Sequence, residues 1–201
     1  MKNALRWRSS IIGFLLATVL TASAQHYTLQ TDPAKSTVKF TLDAALHTVN
    51  GTFQVRPGAL QFDPASSQIQ GEILVDAKSG QTGNGMRDRK MHKDVLESER
   101  YPEISFRPQR VEGAVRNSGQ SSVSVHGMFR LHGVDREITV PAQVEMSGDH
   151  WTATIHFTVP YQKWGLKNPS TLFLRVSDSV QIEVLASGSV VQQNASNTPA
   201  Q

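Results

Sequence analysis

The feature that most constrains this chain is a hydrophobic period of two, which returns stretch after stretch from residue 36 to residue 184. STVKFTL places Val38, Phe40 and Leu42 on one side, GTFQV pairs Phe53 with Val55, GALQF pairs Leu60 with Phe62, and QIQGEILV aligns Ile69, Ile73 and Val75. The second half repeats the pattern in Ile104 and Phe106, in Val123, Val125, Phe129 and Leu131, in Ile138 and Val140, and in Val144 and Met146. It continues in Trp151, Ala153, Ile155, Phe157 and Val159, then in Leu172, Leu174 and Val176, and finally in Val180, Ile182 and Val184. A period of two is a strand with one apolar face. Turn signals separate the runs, among them Arg56-Pro57-Gly58, Asp63-Pro64, Asn117-Ser118-Gly119 and Ser147-Gly148-Asp149. Strands this short and closely spaced predict an all-β antiparallel sandwich or barrel, and a barrel also leaves no open edge.

The first residues do not share this pattern. Lys2, Arg6 and Arg8 precede the apolar run IIGFLLATVL, and Ala22-Ser23-Ala24 follows it. Ten apolar residues are too few to span a bilayer, so residues 1–24 read as a bacterial-type signal peptide cleaved after Ala24. The expected product is periplasmic or secreted, with a domain over residues 25–188 and a disordered tail over 189–201. Without the three leader cations, the 20 Lys and Arg fall to 17 against 17 Asp and Glu, so nothing in the charge balance points to nucleic acid. Cysteine is absent, which excludes disulfides, thiolate chemistry and a lipidated cysteine after the leader. At 7% aromatic content the chain also lacks the girdles of a porin-like membrane barrel.

One segment breaks the alternation: TGNGMRDRKMHKDVLESERYPEISF, residues 82–106. It predicts a helical insertion near residues 84–98, capped by Asn84, with Lys90–Asp94 and Lys93–Glu97 four apart and Met91 and Val95 forming a narrow apolar stripe. Pro102 ends it and starts the next strand. Its five basic residues are matched by five acidic ones, so it reads as a solvated helix and not as a phosphate-binding stripe. His126 and His132 share a solvent face without a third metal ligand. The segment SGQTGNG lacks the Lys-Ser or Lys-Thr of a phosphate loop, and no nucleophile elbow or zinc-protease helix is present, so no catalytic residue, metal or cofactor is assigned. Phenylalanines 40, 53, 62, 106, 129 and 157 fit either a filled interior or one that holds a small ligand, because an eight-stranded barrel sits near the size where both occur.

The ordered pieces YTLQTDPAKSTVKFTL, NGTFQVRPGALQFDP, GEILVDAKSGQTGNGMRDRKMH, YPEISF, VHGMFRLHGVDREITVPAQV and VPYQKWGLKNPSTLFLRVSDSVQIEV together resemble the YceI-like family of secreted bacterial proteins. That resemblance implies an extended, lipocalin-like antiparallel β-barrel of about eight strands, enclosing a tunnel for an isoprenoid-type lipid, polyprenyl or quinone-like. The lipid would be a carried ligand and not a cofactor. It assigns the lipid tail to Phe40, Leu42, Phe53, Leu60, Phe62, Ile73, Val75, Ile104, Phe106, Phe129, Leu131, Ile155 and Phe157. Arg87, Asp88, His92, Tyr101, Trp164 and Lys167 are assigned to the mouth and head group. The implied partners are an isoprenoid or other long apolar lipid and transient contact with a membrane or membrane protein, with no nucleic acid; self-association into a homodimer stays open. Asp43 stands where many family members have a histidine. Two other readings stay open: an enzyme on a small apolar or lipid substrate, using Asp43, His47, Asp88 or His92 as acid–base groups, and a ligand-free stress-response or interaction module.

Overall fold

A computed structural model describes residues 25–45, 47–170 and 175–194. Residues 1–24, over which a leader and its cleavage point are expected, Leu46, residues 171–174 and residues 195–201 lie outside the described residues. The strands are β1 (Gln25–Thr31), β2 (Thr37–Leu42), β3 (Val49–Val55), β4 (Ala59–Asp63), β5 (Gln68–Gly71), β6 (Ile73–Gln81), β7 (Glu103–Glu112), β8 (Gly119–Leu131), β9 (Val134–Ser147), β10 (His150–Val159) and β11 (Val180–Asn194). One helix, α1 (Gly85–Lys90), runs on without a break into a π-helical turn at Met91–Val95.

These strands form eight staves, because three staves are each broken into two strands. β11 pairs with both β1 and β2, β3 and β4 continue the same stave beside them, β5 and β6 the next, and β7 pairs with both. From β7 to β11 each strand pairs antiparallel with its successor, so the sheet closes on itself and has no free edge. The thirteen residues of β8 at about 3.3 Å each, tilted by roughly 40°, make the barrel about 30 Å tall.

Each break has a local cause. Between β1 and β2, Asp32 caps a single 3₁₀ turn at Pro33–Lys35 by accepting from the Ala34 amide. The turn pulls the stave out of register, and the Ser36 hydroxyl replaces the lost ladder bonds by accepting from the Ser187 amide at 3.0 Å. Between β3 and β4, Pro57 has no amide to donate, while Gly58 accepts from the Thr31 amide. Between β5 and β6, Gly71 takes φ +117, and a Cβ there would lie 2.3 Å from the Ala59 carbonyl, so only glycine fits. A register shift between Pro108 and Arg110 in β7 continues this belt around the barrel.

Two expectations change. Residues 189–194 belong to β11 and not to a disordered tail, because β1 offers them a partner: Ser189 pairs with Gln30 and Val191 with Thr28. Ile138, Val140, Val144 and Met146 belong to one strand, β9, not two. Of the run expected over Leu172, Leu174 and Val176, only Val176 is described, and it bridges Ala44.

Candidate functional site

The barrel interior is hollow. A cavity of about 700 Å³ runs through it, and its wall includes residues from every strand. Phe40, Leu42, Phe53, Leu60, Phe62, Ile73, Val75, Ile104, Phe106, Phe129, Leu131, Ile155 and Phe157 all line it. Tyr27, Val140, Ala142, Met146 and Trp151 extend the wall toward one end and Met91, Val95 and Leu96 cover the other. Polar side chains gather at the two ends: His47, Thr82, Asn84, Arg87 and Lys90 by the helix, and Arg116 and Asn117 opposite, where the Tyr27 hydroxyl donates to Asn117 Oδ1. Among the described residues, the hydroxyl or charged groups on the wall between them are two, those of Ser105 and Tyr161. Such a volume lies within the range of small-molecule sites, and its elongation suits a chain better than a compact solute.

The helical insertion over residues 84–95 is built as a cover. Asn84 accepts from the amides of Met86 and Arg87, both at 3.1 Å, and so starts α1. Asp88 Oδ1 accepts from the Thr82 amide, and the Arg87 guanidinium donates to Thr82 Oγ1 at 2.8 Å and to its carbonyl at 3.1 Å. This network folds the end of β6 onto the helix. The His92 ring lies 2.8 Å from the Gly80 carbonyl and 3.0 Å from Ser98 Oγ. A carbonyl only accepts, so Nε2 carries the proton and Nδ1 accepts from the serine. The π turn widens the winding at Met91–Val95, which takes Lys90–Asp94 and Lys93–Glu97 out of pairing distance while Met91 and Val95 face the cavity.

Of the six residues assigned to the mouth, only Arg87 lines the cavity. Asp88 and His92 are the structural ties just described. Tyr101 stacks on His132, with ring centroids 4.2 Å apart, against the tight turn where His132 and Gly133 both have positive φ. Trp164 backs Phe129 at 5.8 Å and is covered by the Arg136 guanidinium at 4.8 Å. Lys167 is exposed. Asp43 is also exposed, its carbonyl accepting from the Ser177 amide. The side chains missed at the mouth, Asn84, Met86 and Lys90, lie in the same short segment, and the cap pattern around Asn84 was their signal.

Nearby, burial pushes the Tyr161 hydroxyl up to about 12, helped by Asp178, and the hydroxyl donates to the Ser177 carbonyl. Among the described residues, no group of three or more His, Asp or Glu side chains could hold a metal ion.

A closed eight-stave antiparallel barrel around an apolar tunnel, with a short helix over one mouth, defines a lipocalin-like class of small barrel. A family model described as a YceI-like domain matches residues 29–187, and the chain belongs to that family. A UPF0312 protein of Pseudomonas savastanoi pv. phaseolicola is 28% identical over 153 residues, covering 72% of this chain and 77% of the relative. The crystal structure of Burkholderia cenocepacia BcnA superposes with a TM-score of 0.65 at 22% identity, over 79% of this chain and 99% of that one. A polyisoprenoid binding domain from Saccharophagus degradans, implicated in plant cell wall breakdown, superposes with a TM-score of 0.58 at 16% identity, over 82% and 98%.

Proposed function

We propose that this protein is a periplasmic or secreted carrier that holds the tail of an isoprenoid-type lipid, polyprenyl or quinone-like, inside the barrel. The observation that carries this reading is the continuous wall, apolar between its polar ends apart from Ser105 and Tyr161. The neighbour described as a polyisoprenoid binding domain supports the ligand class. Burying ten methylene equivalents contributes about 8 kcal/mol, a micromolar scale before the cost of ordering the chain is subtracted. The tail sets affinity, and Arg87, with Thr82, Asn84 and Lys90, orients the head. No chemistry is required of the protein: Asp88 and His92, offered as acid–base groups by the enzyme reading, are occupied in holding the insertion in place.

The test is to purify the protein without detergent and compare its native mass with the masses in an organic extract. A stoichiometric apolar adduct is expected. A clean protein mass that stays unchanged after incubation with polyprenols and quinones would sink the carrier reading.

A further inference from the structure

The insertion has an outward face as well as an inward one, and the two differ in charge. Met86, Arg89, Lys90 and Lys93 are exposed: the first three share one face of α1 at i, i+3 and i+4, and Lys93 follows in the π turn. The acidic residues of α1 and the π turn, Asp88 and Asp94, are half-buried, and Asp88 is turned to the Thr82 amide. Among the described residues, none of the three cations is paired with a carboxylate within 4.0 Å. Met86 is 73% exposed, the most exposed large apolar side chain described. Met86 and Lys90 also line the cavity, so the stripe is continuous with its mouth.

From this we infer that the Met86–Arg89–Lys90–Lys93 stripe docks the mouth on an anionic lipid bilayer surface. Unneutralised cations beside one exposed apolar anchor complement such a surface: the charges attract the leaflet and the methionine enters its interfacial layer. Docking supplies a step that the tunnel alone lacks. A lipid tail in a bilayer is already out of water, so a route that crosses water loses the whole hydrophobic term, whereas a mouth seated on the leaflet keeps the tail in an apolar path. The purpose of docking rests on the carrier reading, but the test does not.

The experiment is flotation of the purified full chain with vesicles of phosphatidylcholine alone and with 30% phosphatidylglycerol, a mixture of about the composition needed for a negative surface. Binding is expected only to the anionic vesicles and should fade with added salt. The double variant Arg89→Glu/Lys93→Glu touches no wall residue, so it should keep tunnel occupancy and melting temperature while vesicle binding falls on the order of 25-fold or more, about fivefold per cation lost. Met86→Ser should weaken binding several-fold, and Lys35→Glu, in the exposed 3₁₀ turn between β1 and β2, should leave it intact. Absence of wild-type binding to anionic vesicles would overturn the proposal, as would equal binding by the double variant. If the wild type ignores vesicles but is a dimer that the double variant converts to monomer, the stripe is a contact between copies and the proposal fails. Loss of tunnel occupancy with vesicle binding preserved would refute the carrier reading and leave this one standing.

Discussion

The two ends of the barrel are made from the same alternating strands but closed in different ways. At the far end, hairpins join neighbours directly: Ser147 to His150 across Gly148-Asp149, and Asp63 to Gln68. A buried cluster of Tyr27, Leu29, Leu60, Phe62, Ile69, Met146 and Trp151 packs there. At the helix end, closure comes from a separate piece of chain tied down by a few polar contacts, over walls whose Phe106 and Ile104 remain half-buried. The difference separates two tasks. Both sets line the cavity, but the buried far-end side chains contribute more to folding, while the half-buried Ile104 and Phe106 contribute less and are freer to meet a ligand.

The largest expected effect tests that division. Trp151 is 4% exposed and its indole donates to the Gln30 carbonyl at 3.2 Å, so Trp151→Ala should cost about 3–5 kcal/mol in denaturant unfolding. Phe106→Ala, at a half-buried position on the same cavity, should cost about half as much; equal losses would show that the wall near the helix is packed as tightly as the far end.

Glycines give a second contrast. A Cβ on Gly188 would lie 1.7 Å from the Gln30 backbone carbonyl, so Gly188→Ala must push β1 away from β11 and should cost about 3 kcal/mol. A Cβ on Gly80 would meet only the side chains of Phe53 and Met91 at 2.5 Å and 2.9 Å, and both can yield toward the cavity. Gly80→Ala should therefore cost less than about 1 kcal/mol and instead change which ligands are retained, as read by chain length in an organic extract.

His92→Ala removes the tie between the insertion and Gly80. It should lower global stability by about 1 kcal/mol, while amides of residues 85–95 exchange faster with solvent than those of β9. Uniform acceleration across both regions would mean that the insertion and barrel open together.

At neutral pH the smallest effect is expected of Tyr161, whose contribution shows only in alkali. Because the folded Tyr161 hydroxyl titrates at about 12 and an unfolded tyrosine near 10, the folded state holds its proton longer. That contribution is complete below about pH 10 and is lost as pH rises through 12. Tyr161→Phe should flatten the alkaline limb of stability against pH, and an unchanged limb would assign it to other groups.

Strand identity was legible because a period of two is visible wherever one face is buried. The belt of breaks was not, because its signals mimic ordinary turns. Arg56-Pro57-Gly58 reads as a hairpin but sits within one stave, where it moves the inward set from the odd positions Phe53 and Val55 to the even positions Leu60 and Phe62. The same switch separates Leu29 from Val38 and Phe106 from Val111, and a single slip of this kind reverses every side chain beyond it. The wall residues were readable for the same reason as the strands. The mouth was less so: Tyr101 and Trp164 were assigned there from the family resemblance, yet the turn at His132-Gly133 and the Arg136 guanidinium hold them as braces. Contacts between residues far apart in sequence leave no local pattern.

The last strand, β11, pairs with β10, with β2 and with β1, so the chain's final described segment is the partner of its first. A nascent chain of this design meets its closing contacts only once β11 has been synthesised. Pairings of such long sequence separation carry the full entropy of loop closure and place the protein among the slower-folding topologies, in the range of about milliseconds to seconds. Until β11 has emerged, β1 and β2 each keep one edge unpaired.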